Sequence, residues 1–313
     1  VNNDPAQGYT TGSMFLNPVA MIDNNDYLNN PEQFAVNMTA DYRLQMIPGL
    51  RIGLMGAALG YADETKEIIV PGGGMPIING WITTLNESLK VRMLEFSAGY
   101  SIPVEKIDGN LDLKAGYFTH WRGRETSELT TDFTDPEMIY ENYRSTSESA
   151  RRSVYGKADF SAMGRYFLTA VLRNDGFSEF SPDNRNLLSP SVTAEWNIAG
   201  EPFFPSGGLV NELTLSLTLG TAGTGSMTRS FSAMPSPDIK PETTTYFIPG
   251  LRMTMFENRL TLSLNGFINK NRDILTEQIV PTGTNYSNTI LVNGGDLDNR
   301  GVELRVDASL FSG

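Results

Sequence analysis

A strict alternation of apolar and polar residues near the C-terminal end constrains the fold of this chain most strongly. Between Gly250 and Lys270, two alternating runs flank a short polar connection from Phe256 to Arg259. Successive side chains of a β-strand point to opposite faces, so one face of this hairpin is apolar and the other is polar. Such a hairpin is typical of a soluble antiparallel sheet or of a membrane β-barrel. The apolar set is Leu251, Met253, Met255, Leu260, Leu262, Leu264 and Ile268.

The same alternation recurs through most of the chain. It begins at Phe34 and is still present in the last apolar run, from Val302 to Leu310. We count about eleven strands in the 313 residues, and no stretch has the period of an amphipathic helix. Residues 1–30 are rich in Asn, Asp, Gly and Pro, which predicts a loop. The sequence therefore predicts an all-β chain.

Connection lengths favour the membrane barrel over the soluble sheet. Short turns at 47–49, 161–165 and 256–259 alternate with predicted long loops at 62–78, 124–150, 221–241 and 274–296. Outer-membrane barrels have short periplasmic turns and long external loops, so we place the long loops outside the cell. Aromatic residues near strand ends match the girdles of such barrels. They are Tyr42, Tyr100, Tyr117, Trp121, Tyr166 and Trp196. We predict a transmembrane antiparallel β-barrel.

Composition excludes several other classes. Acidic residues outnumber basic ones by 36 to 24, a formal charge of −12, which disfavours nucleic-acid binding. The absence of cysteine rules out disulfides and thiolate metal sites. The sequence contains no run of about 18 apolar residues, so it predicts no transmembrane helix. The chain starts at Val1 without a basic and apolar leader, so we expect that any signal peptide has been removed.

Several short segments resemble the SusC/RagA-like TonB-dependent outer-membrane transporters. Their order along the chain matches the family, well over about 150–310 and loosely over 1–150. They are Arg173-Asn174-Asp175-Gly176, Ser189-Pro190-Ser191 with Glu195-Trp196, Leu219 to Gly223, Lys240-Pro241-Glu242, Asp273-Ile274-Leu275, and Asn299 to Glu303. The chain departs from the pattern at Phe177 and Glu179, where small and basic residues are usual, and at Leu219, which replaces an aromatic residue.

The resemblance implies an importer in the outer membrane of a Gram-negative bacterium. The family's barrel has about 22 strands around a plug. We therefore interpret residues 1–313 as a partial barrel domain from its middle, without the plug. In this family a SusD-like surface lipoprotein lid captures an oligosaccharide or peptide. TonB, acting through an N-terminal region absent from this chain, then pulls on the plug. The resemblance implies no cofactor and no catalytic residue.

Charged residues on the polar faces are the candidate site residues. We expect them to face the lumen of the barrel, where they contact either the substrate or the plug. They are Asp41, Arg43, Lys114, His120, Arg122, Arg173, Glu195, Arg252, Glu303 and Arg305.

Two rival functions stay open beside the importer. A surface β-sheet protein could bind glycans without transport, and an outer-membrane hydrolase would carry catalytic residues. His120 is the single histidine, and no Gly-x-Ser-x-Gly segment accompanies it, which disfavours the hydrolase and a histidine metal site. Gly220 to Ser226 lacks the lysine of a phosphate loop. The acidic residues around Asp132 and those at Asp296 and Asp298 lack EF-hand spacing, so we predict solvated loops rather than calcium sites.

Overall fold

The computed structural model describes residues 25–70, 80–205, 207–224, 234–235, 238–280 and 289–309. These residues form long β-strands joined by turns, with single 3₁₀ turns at Glu105–Ile107 and Ile198–Gly200. In this part of the chain no helix has the length and apolar character needed to cross a membrane. The strands are β1 (Asn25–Arg43), β2 (Leu50–Ile69), β3 (Trp81–Val104), β4 (Gly109–Asp132), β5 (Ile139–Ala162), β6 (Tyr166–Phe177), β7 (Asn186–Asn197), β8 (Val210–Thr224), β9 (Met234–Pro235), β10 (Glu242–Met255), β11 (Leu260–Ile279) and β12 (Thr289–Ala308).

The strands belong to one sheet and, apart from the two-residue β9, follow one another in chain order. From β5 to β12 each long strand pairs antiparallel with the next. The short β9 instead pairs in parallel with β12, where Ile290 lies opposite Met234. The antiparallel all-β fold predicted from the alternation is confirmed.

The turn between β10 and β11 lies where the sequence predicts it, but both strands extend beyond the predicted hairpin of 250–270, back to Glu242 and on to Ile279. β10 ends at Met255 and β11 begins at Leu260. Leu251 lies opposite Leu264, and the other apolar residues of the two strands pair in the same way. Three consecutive residues with positive φ, Phe256 to Asn258, close the turn between them. One face of the hairpin is therefore apolar from the turn to the pair of Phe247 and Ile268, as predicted.

The chain divides into two compact units. The first comprises Val1–Met38, Gly56–Met93 and His120–Ser149, and the second comprises Thr39–Met55, Leu94–Thr119 and Ala150–Gly313.

The second unit leaves its apolar face uncovered. A soluble sheet would bury such a face under another layer. The small buried cluster found among the described residues consists of Phe177, Phe180, Ile239, Leu275 and Leu291. Large side chains exposed at alternate strand positions include Leu94, Phe96, Tyr100, Leu113, Tyr117, Leu168, Leu172, Val192, Leu215, Leu219, Leu264 and Ile268. This face has the character of a lipid-contacting surface.

The prediction of a long loop at 124–150 is wrong. β4 continues to Asp132 and β5 begins at Ile139, so only the turn 133–138 separates them. An ion pair between Arg144 and Glu125 links the two strands. β4 and β5 have 24 residues each, whereas about 9–11 residues cross the hydrocarbon. Beyond the lipid both faces of a hairpin are wet, so the apolar alternation that predicts strands is lost.

The other predicted long loops are shorter than expected for the same reason. β2 extends to Ile69, β8 to Thr224 and β11 to Ile279, and β12 begins at Thr289. Residues 71–78, 225–233, 236–237 and 281–288 of these predicted loops lie outside the described residues.

Candidate functional site

A charged network crosses the polar face of β3, β4 and β5 in the second unit. The Lys114 Nζ atom lies 3.0 Å from Glu95 Oε1, and the Tyr155 hydroxyl donates a hydrogen bond to the same carboxylate. The lysine ammonium also lies 5.5 Å from the centre of the Tyr155 ring, within cation–π distance. Three side chains from three strands therefore satisfy one another on the polar face.

A second network on the same face centres on Asp175, whose side chain is 3% exposed. Arg151 donates to both of its carboxylate oxygens, and Arg173 Nε donates to Oδ1 at 2.7 Å. Ser153 donates to Asp175 and accepts a hydrogen bond from Arg173 Nη2 at 2.8 Å. Two guanidinium groups thus share one carboxylate, which leaves a local excess of one positive charge.

Aromatic rings support both arginines of this network. The Arg151 guanidinium lies 5.4 Å from the centre of the Phe177 ring, and that of Arg173 lies 5.5 Å from the Phe118 ring. Both arginines keep about a third of their side chains exposed, at 36% and 30%. Each arginine is therefore held in place while part of its side chain stays exposed on the polar face of the sheet, which we call the charged wall.

Strand register assembles these groups. Ser153 lies opposite Asp175, and Tyr155 lies opposite Arg173. Side chains that face each other across neighbouring strands are close enough to bond directly or diagonally. On β4, Gly116 lies under the Tyr155 ring, because a Cβ atom there would lie 2.6 Å from ring atom Cζ. The glycine lets the tyrosine ring lie close against the wall.

The structure places two of the predicted site residues, Lys114 and Arg173, in these networks. Arg305 forms an ion pair with Asp307, with 2.8 Å between Arg305 Nε and Asp307 Oδ2, and both side chains are largely exposed. Asp41 lies close to Gly53, because a Cβ atom added to Gly53 would lie 3.3 Å from Asp41 Oδ1.

The remaining predicted site residues are spread over the sheet. Glu195 lies opposite Ser216, Arg252 opposite Ser263, and Glu303 opposite Asn265, each on a different strand. Arg43 is exposed at the end of β1. His120 and Arg122 belong to the first unit. These residues stay predictions as contacts of substrate or plug.

Sequence reasoning missed most of the network partners. Glu95, Arg151, Ser153 and Tyr155 meet their partners across strands, and a single sequence does not give that register. Asp175 carried a usable signal, because it stands two residues after Arg173 and therefore on the same face of β6.

One of the acidic residues proposed for solvated loops is buried instead. Asp132 is 1% exposed and accepts hydrogen bonds from the Tyr140 hydroxyl, from the Thr134 hydroxyl and backbone N–H, and from the Asp135 backbone N–H. The prediction of a solvated loop is therefore wrong at Asp132. Asp298 pairs with Arg272 at 2.8 Å. In the described part of the chain, no group of three or more His, Cys, Asp or Glu residues could hold a metal ion.

Comparison with known proteins identifies a family. The family model described as "TonB dependent receptor-like, beta-barrel" matches residues 1–312. The TonB-dependent receptor SusC of Bacteroides thetaiotaomicron is 26% identical, and the alignment covers 93% of this chain and 32% of SusC. A TonB-dependent receptor of Formosa agariphila is 25% identical over 72% of this chain and 24% of its own length. The chain therefore spans about a third or less of the length of these relatives.

Solved structures show the same fold. The RagAB peptide importer in its closed-closed state matches with a TM-score of 0.80 at 17% identity, over 93% of this chain and 35% of the importer chain. The ferric-catecholate import receptor Fiu of Escherichia coli K12 matches with a TM-score of 0.61 at 10% identity, over 90% of this chain and 45% of its own. At these identities the likeness concerns the fold alone.

Proposed function

The chain belongs to the TonB-dependent receptor-like β-barrel family, and from that membership we propose that the whole protein is an energised importer of oligosaccharides or peptides. It lies in the outer membrane of a Gram-negative bacterium. In such barrels the apolar face of the strands meets lipid and the polar face lines the lumen. We propose a SusD-like surface lipoprotein and TonB as its partners.

The match to SusC over 93% of the chain carries this proposal. SusC is a TonB-dependent receptor, and the RagAB complex, which shares the fold, is a peptide importer. RagAB supports peptides as the cargo, and the oligosaccharide class comes from the resemblance of the sequence to the SusC/RagA-like transporters. The family consists of receptors and transporters rather than enzymes, so we propose that the cargo crosses unmodified.

The charged wall is better suited to letting cargo pass than to binding it tightly. Lys114 is neutralised by Glu95, and Asp175 neutralises one of its two arginines, so the wall presents few isolated charges. A path conducts when binding is favourable enough to admit the cargo and weak enough to release it. In the proposed mechanism, polar groups on this wall exchange hydrogen bonds with the hydroxyls or amides of the cargo. Where the plug fills the lumen, the same groups bond to the plug.

Uptake by the native host tests the proposal. The full-length gene is deleted and restored, and the cells receive a fluorescent mixture of oligosaccharides or a fluorescent tryptic peptide mixture. The proposal predicts that uptake of one mixture depends on this gene, on TonB and on the SusD-like lipoprotein. Surface binding without uptake would favour the glycan-binding rival. Shorter products released by the purified full-length protein would favour the hydrolase.

A further inference from the structure

Glu201 holds the connection between β7 and β8 against two aromatic residues. Its carboxylate accepts hydrogen bonds from the Tyr166 hydroxyl, from Trp196 Nε1 at 2.9 Å and from Arg165 Nη1 at 2.7 Å. The Glu201 side chain is 8% exposed. Tyr166 and Trp196 lie directly opposite each other in β6 and β7. One carboxylate therefore ties the connection to two neighbouring strands.

Both aromatic residues lie on the lipid-facing side of the sheet. Tyr166 shares its strand face with the exposed residues Leu168 and Leu172, and Trp196 shares its face with the exposed Val192. Glu201 meets the polar tips of the two rings on this side. The residues around Glu201 therefore lie on the lipid-facing side of the sheet rather than on the lumen side.

The backbone turns tightly on both sides of Glu201. The Glu201 N–H donates to the Ile198 carbonyl, and the Phe204 N–H donates to the Glu201 carbonyl, each at 3.0 Å. Gly200 permits a close approach, because a Cβ atom there would lie 2.7 Å from Arg165 Cγ. Phe203, in the second of these turns, is 70% exposed.

We propose that Phe203 inserts into the boundary between phospholipid headgroups and acyl chains at the short-turn end of the barrel. Girdle tyrosines and tryptophans normally direct their polar tips to water and headgroups. Here Glu201 accepts hydrogen bonds from the tips of Tyr166 and Trp196, and Phe203 follows it by two residues. Phe203 has no polar tip, so its ring is more stable in apolar surroundings than in water.

The surrounding surface indicates phospholipid as the occupant. A groove of about 490 Å³ on the same face is lined by Tyr166 and Trp196 together with Phe160, Leu168 and Leu217. These are lipid-facing residues, so the two rings that bond to Glu201 belong to the lipid-contacting surface of the barrel. The anchor is independent of which cargo the protein carries.

A fluorescent label at position 203 tests this anchor. The full-length protein, with any cysteine outside this segment replaced by serine, carries Phe203→Cys labelled with a nitrobenzoxadiazole dye in phosphatidylcholine liposomes. We expect quenching by phospholipids that carry a nitroxide near the headgroup and little quenching by aqueous iodide. Glu257→Cys, at the exposed turn between β10 and β11, is the matched control and should be quenched by iodide.

Two outcomes would overturn the proposal. Iodide quenching at 203 equal to that at 257 would place the side chain in water. Quenching by neither agent would place it against protein. A second variant, Glu201→Ala, keeps the label and removes the tie, and the lipid quenching at 203 should then be lost. Heat-modifiable migration on a gel confirms in each case that the barrel has folded, so a folding failure is not mistaken for a result.

Discussion

Arg151 donates two hydrogen bonds to Asp175, from Nε at 3.0 Å and from Nη2 at 2.9 Å, and so forms a bidentate ion pair between β5 and β6. Fixed forks of this kind are stronger and more specific than single hydrogen bonds. Arg173 approaches the same carboxylate along β6. The buried carboxylate therefore organises the polar wall, because it fixes two cations that would otherwise repel each other.

Replacing Asp175 by Asn should destabilise the barrel. Arg151 and Arg173 then lose their shared counter-charge, and removing one partner of a fully buried pair costs about 3–5 kcal/mol. Since both arginines are about a third exposed, water screens part of this loss, and we expect about 2–3 kcal/mol. Urea unfolding of the full-length protein in liposomes measures the change.

The matched control for that experiment is Asp307→Asn. Asp307 pairs with Arg305 at 2.8 Å, but both side chains are largely exposed. Exposed pairs contribute about 0–1 kcal/mol. A loss at Asp175 no larger than the loss at Asp307 would show that the buried network does not stabilise the wall.

Alternation predicts the fold because one face meets lipid and the other meets water along every crossing strand. It gives the turn between β10 and β11 and the apolar face of Leu251 and Leu264. It fails over 124–150, where a hairpin beyond the lipid is wet on both faces. The site is harder to predict for a different reason. Lys114 and Arg173 are identifiable as charged residues on a polar face, but Glu95 and Arg151 become their partners through register.

Asp132 should stabilise the turn 133–138 in a pH-dependent way. It lies at the end of a strand far longer than the membrane requires, and the hydrogen bond from Tyr140, with those from Thr134 and Asp135, holds the pKa of its carboxyl well below the usual range. A lowered folded pKa contributes stability above the ordinary value of about 3.9 and loses it as the pH falls toward the folded pKa.

The variant Asp132→Asn tests this dependence. Hydrogen exchange of the turn in the wild type and the variant gives the difference in the free energy of local opening. We expect the wild type to be more protected, by an amount that is constant between pH 7 and about 5 and shrinks below about 3.9. A difference that already shrinks between pH 7 and 5 would contradict the assignment to Asp132.

Sidedness follows from the connections at the two ends of the strands. Asp183, in the connection between β6 and β7, belongs to the end that we place outside the cell, and Met46, in the turn between β1 and β2, belongs to the opposite end. Met46 is 93% exposed, and the chain has no cysteine of its own. In intact cells an impermeant maleimide should label Asp183→Cys and leave Met46→Cys unlabelled. The reverse pattern would invert the topology.

The central claim is that one face of this sheet meets lipid and the other lines the lumen. Leu217 and Ser216 are neighbours in the middle of β8 and point to opposite faces. Unfolding free energies in lipid bilayers should show that Leu217→Arg costs about 2–4 kcal/mol, as expected for a cation near the bilayer midplane, and that Ser216→Arg costs far less. Equal destabilisation by the two substitutions would contradict the assignment of the faces.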